Sequence, residues 1–133
     1  TLFDAPSRES SCVKRSRTNS SLQSFGLFNE TQRVEMSRML AERLLRKAPD
    51  DTQRLDLLFK LLASRKPTDN ERAACTTLLH SLQRRYAADE KSALALLATG
   101  EAPRDPKLNP ATHAAWSQLA ITVLASDVAL LLY

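Results

Sequence analysis

The run LDLLFKLL, residues 55–62, limits what this chain can fold into more than any other stretch. Leu55, Leu58, Phe59 and Leu62 recur at three- and four-residue steps, the spacing of one face of an α-helix. Leu57 and Leu61 widen that stripe, as expected of a helix packed on more than one side. An alternating strand pattern appears neither here nor elsewhere in the chain. Only two of the 133 residues are glycine, and leucine and alanine are abundant, which favours helix throughout.

Local signals divide the chain into helices. Asn19, Ser20 and Ser21 are N-cap candidates for a short helix to about Phe28 that presents Leu22, Phe25 and Phe28. Asn29 or Glu30 opens a helix to about Lys47, with Met36, Met39, Leu40 and Leu44 expected in the core and Glu42–Arg46 paired on another face. Pro49 stops it. Asp50 or Asp51 caps the next, to about Ser64. RKPTDNE, residues 65–71, is the clearest local signal: Thr68 and Glu71 fit a capping box, each side chain serving the other residue's backbone N–H. The helix that follows, to about Tyr86, turns Cys75, Leu78, Leu79 and Leu82 inward. Asp89 caps a short helix with Leu94 and Leu97 inward and Gly100 at its end. Asn109-Pro110 opens the last helical region, whose apolar residues are Trp116, Leu119, Ala120, Val123 and Leu124. The reading is an all-α fold: a compact bundle of about five to seven helices, with an extended N-terminal arm over residues 1–19 and the bundle over 20–133.

Few residues offer chemistry. Cys12 and Cys75 are far apart, and the chain holds no CxxC or CxxCH, so it encodes neither a zinc knuckle nor a haem c attachment site of its own. Cys75 and His80, five residues apart, are offset by about 140° on a helix, a poor Cys–His pair. Cys75 reads as core, His80 as surface and His113 as structural. Most acidic residues stand at helix starts, where they complement the helix dipole. The aromatic content, 5%, is too thin for platforms that stack single-stranded nucleic acid. Leu119–Tyr133 is too short and too interrupted to span a bilayer.

One basic cluster stands out. The formal net charge is +4, with the excess in the first half of the chain, and Lys14, Arg15 and Arg17 place three positive charges within four residues. Arginine forks bind oxyanions bidentately, and Asn19 with the adjoining Ser/Thr run could add donors. The functional reading is an anion site of Lys14, Arg15, Arg17 and Asn19, with a sulfated polysaccharide as ligand. The plainer reading is that these side chains fasten the arm to helix-start carboxylates or carbonyls.

LFDAPSRESSCVKRSRTNSSLQSFGLFNE, residues 2–30, resembles the motif of a planctomycete secreted-protein domain of unknown function. Phe3, Asp4, Pro6, Cys12, Lys14, Arg15, Thr18, Asn19, Leu22, Gln23, Leu27 and Asn29 carry the match. RKPTDNE and the segment ATHAAWSQLAITVLAS extend it, while Ser20-Ser21 and Glu30 depart from it. That family forms the C-terminal part of large proteins that often carry a cytochrome-c-type module. The resemblance implies a piece of a longer, periplasmic or secreted protein, with haem c elsewhere in the parent. It implies a non-catalytic module that packs on upstream domains; an active site completed by those domains is the rival.

Overall fold

A computed structural model describes residues 29–126. They form five α-helices and no strand: α1 Glu30–Lys47, α2 Asp51–Ala63, α3 Asp69–Ala88, α4 Glu90–Leu97 and α5 Pro110–Leu124. The arm, the short helix expected to end near Phe28 and residues beyond 126 lie outside the described residues.

Every helix starts where a short polar side chain can accept from a free backbone N–H. Asn29 accepts from Gln32 N, and the Gln32 side chain returns the bond, which makes a capping box. Asp50 caps α2 and Asn109 caps α5, with Pro110 in the first turn. Thr68 and Glu71 form the expected box on α3. Asp89 closes α3 and caps α4 at once, so no linker separates them. The α1–α2 corner is fastened by Arg54, which donates to Ala48 O at 3.0 Å and pairs with Asp51 at 3.1 Å.

The last helix is the centre of the bundle. α5 packs against α1, α3 and α4. His113 through Ser117, Leu119, Ala120, Val123 and Leu124 are all buried. Ala114, Ala115, Ser117 and Ala120 are small enough to admit three neighbours around one helix, and Trp116 fills the space between them. Leu44, Leu55, Leu58, Phe59, Leu79, Leu82, Tyr86, Ala93 and Leu97 complete the core.

Four inward assignments need correction. Met36 and Met39 are 40% and 46% exposed, and Leu61 and Leu94 also face solvent. α1 instead buries Val34, Ser37, Arg38, Ala41, Glu42 and Leu44, a face that contains an arginine and a glutamate. On α4, Ala93 takes the place expected for Leu94, because so short a helix can turn only one narrow face to α5. Leu62, Cys75 and Leu78 sit at the core margin, half-buried.

Candidate functional site

Lys14, Arg15, Arg17 and Asn19, the anion site expected from sequence, lie outside the described residues. The described residues concentrate their polar groups in two other places.

The first is a clasp between α1 and the loop after α4. Glu35, Arg38, Glu42 and Arg46 stand at steps of three and four along one edge of α1, so a single stripe reaches the loop. Glu35 accepts from Glu101 N at 3.1 Å and Ala102 N at 2.6 Å. Arg38 donates to Thr99 O at 2.5 Å and Ala102 O at 2.8 Å. Glu42 accepts from Asp105 N at 3.1 Å. Arg46 bridges Asp105 at 2.7 Å and Glu42 at 3.4 Å. The Arg46 hydrogen bond is the main cause that holds the Asp105 carboxyl below its ordinary range. Loop backbone that would otherwise lack partners is thus satisfied by side chains. Gly100 belongs to this clasp: its φ is +92°, and a Cβ there would meet Glu35 at 2.7 Å.

Beneath the clasp lies a buried polar seam. Arg38 and His113 are both fully buried, and His113 Nε2 lies 3.1 Å from Arg38 O. Burial pushes the His113 pKa down, so the neutral ring that donates to this carbonyl is favoured. Ser117 donates to His113 O at 2.8 Å. His113 is therefore structural, as read from sequence, and it connects α5 to α1.

The second place is a largely enclosed cavity of about 160 Å³ between α2, α3 and α5. Its lining includes Thr52, Arg72, Cys75, Thr76 and Trp116, with Leu55, Leu79 and Leu119 as apolar walls. Arg72 uses Nη2 on Asp56 at 2.6 Å, while its buried Nη1 finds no partner among the described residues. Trp116 Nε1 is likewise unpaired among them. Burial pushes the Cys75 thiol up, so sulfur here is S–H. His80 stands at the exposed rim, as its surface assignment required. It shares this cavity with Cys75 and gives no direct contact with it among the described hydrogen bonds.

A smaller feature fixes the turn into α3. Arg65 pairs bidentately with Glu71 at 2.7 and 2.9 Å and lies over the Phe59 ring, 5.9 Å from its centroid. The Arg65 hydrogen bond is the largest cause that lowers the Glu71 pKa to about 2.

Among the described residues no three His, Cys, Asp or Glu side chains gather as a metal site. No described helix is long and apolar enough to cross a membrane. The family model for PSD1, a protein of unknown function (DUF1553), matches residues 1–79. The chain belongs to the PSD1 family. The PSD1 match covers residues 1–28, α1, α2 and the first half of α3, and stops before α5. It bears out the expected membership of a domain family of unknown function. No curated protein and no solved structure matches the chain.

The clasp and the cavity were both missed in the sequence. The alternating charges at 35, 38, 42 and 46 were the available signal for the clasp, but only Glu42 and Arg46 were read, as a pair on another face of the helix. The cavity left no signal, because Arg72 and Trp116 are 44 positions apart in the chain.

Proposed function

We propose that this domain is a non-catalytic helical module that packs on the preceding part of its own polypeptide through the outer face of α1. The observation that carries this reading is an apolar groove lined by Met36, Met39, Gln32, Glu35 and Ala102 and left uncovered by the other described residues. The proposed occupant, taken from its sequence, is the segment 20–28. It joins α1 at Asn29, about 10 Å along the helix axis from Met36. It brings Leu22, Phe25 and Phe28, apolar side chains at helical steps, and it falls inside the PSD1 match together with both methionines. Methionine is suited to the contact because its flexible thioether adapts to irregular apolar partners.

A packing role also suits the clasp, whose charged side chains are spent on loop backbone and on one another. In the fuller form of the reading, the parent is a large extracytoplasmic, cytochrome-c-associated protein. The resemblance of residues 2–30 supports that form. The chain has no CxxCH, so haem c would belong to another part of the parent.

Hydrogen exchange over residues 20–28 tests the packing. In the whole chain these amides should be protected, and Met36→Glu/Met39→Glu should release them while the circular dichroism stays helical. Exchange at the unprotected rate in the wild type, or protection unchanged in the double variant, would overturn the proposal.

A further inference from the structure

The cavity between α2, α3 and α5 has a composition that packing alone does not require. Buried donors in folded proteins nearly always have an acceptor. Here two residues of different helices line one cavity, Trp116 on α5 and Arg72 on α3, and each carries a buried donor, Nε1 and Nη1, that finds no acceptor among the described residues. Trp116 is completely buried, so bulk solvent does not serve its N–H. Arg72 is held in place by Asp56, which occupies Nη2 and leaves Nη1 for another oxygen. The hydroxyls of Thr52 and Thr76 and the Cys75 S–H add donors to the same lining. Asp51, the carboxylate of the lining, is engaged by Arg54 at 3.1 Å.

The apolar walls restrict the ligand further. Leu55, Leu79 and Leu119 face the same space, so an inorganic oxyanion would satisfy the donors and leave hydrocarbon uncovered. At about 160 Å³ the cavity is well below the ~300 Å³ where drug-sized pockets begin. It has room for an acid of a few carbons.

We propose that this cavity is a binding site for a short-chain carboxylate. One carboxylate oxygen accepts from Arg72 Nη1 and the other from Trp116 Nε1, while the alkyl tail lies against Leu55, Leu79 and Leu119. The site stands on α2, α3 and α5 and does not depend on the α1 groove. Neither proposal needs the other.

Trp116 is the single tryptophan of the chain, so its emission reports on this site without interference. The test is a titration of the 133-residue chain with sodium butyrate, against sodium sulfate at matched ionic strength. Emission and the indole N–H resonance are both followed. Butyrate should give a saturable change in emission and a downfield shift of the indole proton, and sulfate a distinctly weaker response. Arg72→Met should weaken butyrate binding by about tenfold, the effect of losing one charged hydrogen bond. Cys75→Phe, which fills the cavity and keeps Arg72, should abolish it. A linear or absent response to butyrate, an equal response to sulfate, or an unchanged affinity in Arg72→Met would each overturn the proposal. Arg72→Lys, which keeps the charge and loses the fork, serves if Arg72→Met fails to fold. Affinity equal to wild type in that variant would count against the assigned geometry.

Discussion

α1 and α5 treat their side chains in opposite ways. α1 buries an arginine and a glutamate and leaves two methionines in the open. α5 buries nine of its fifteen residues, from Trp116 to His113, whatever the polarity. The difference lies in what each helix faces. α5 is enclosed by three other helices, so small size and complementary shape decide which residues it can hold. One edge of α1 faces irregular backbone, residues 99–105, whose N–H and C=O groups need partners. There a charged side chain with fixed hydrogen bonds is better buried than a methionine.

The largest effect that could break this comparison is expected at Arg38. Arg38→Leu keeps the bulk and removes both bonds to the loop, and should cost about 3 kcal/mol in urea unfolding, since buried carbonyls lose a charged donor. A neutral result would mean that the α1 edge is an ordinary apolar contact. Gly100→Ala comes next, at about 2 kcal/mol, because it places a side chain at positive φ and against Glu35. The paired variant Gly100→Ala/Glu35→Ala should recover only part of the steric loss, because the Cβ of residue 35, 2.8 Å from the added one, remains. Full additivity of the two changes would argue against contact between them.

Two smaller effects sharpen the comparison through pH. His113 has a pKa lowered by burial, so the unfolded chain takes up the proton first. Stability should be full above the ordinary histidine pKa of about 6.5. It should fall as the pH drops below that value and level off once the folded ring is itself protonated. His113→Gln should remove this slope, and a variant that kept it would place its origin elsewhere. Glu71 governs a separate, more acidic window. Its pKa is lowered from 4.5 to about 2, so its contribution is present above pH 4.5 and is lost towards pH 2. Glu71→Gln should flatten that window by a small amount, because the pair with Arg65 is partly solvated. A slope unchanged by the substitution would place its origin in groups other than Glu71.

The helix starts were legible because their causes are local. Asn29, Asp50, Thr68 with Glu71, Asp89 and Asn109-Pro110 each act within three or four residues. The apolar α5 core residues were legible too, because Trp116, Leu119, Ala120, Val123 and Leu124 recur at helical steps. Met36 and Met39 were misread because periodicity reports a face and not its neighbour. The true inward face of α1 runs through Ser37, Arg38 and Glu42, and its polarity makes sense only beside residues 99–105, some sixty positions away. The cavity is beyond local reading for the same reason. Its two unpaired donors come from α3 and α5, and only tertiary packing puts them on one wall. The basic arm, from Lys14 to Asn19, falls outside the described residues, so its two readings stand as they were.

Asp89 has a consequence for how this domain can change length. It ends α3 and starts α4 with no residue between them. One inserted residue at that corner would turn α4 by about 100° if the helix were continued through it. Ala93 and Leu97 would then leave α5. The corner between α3 and α4 should therefore tolerate substitution far better than insertion or deletion.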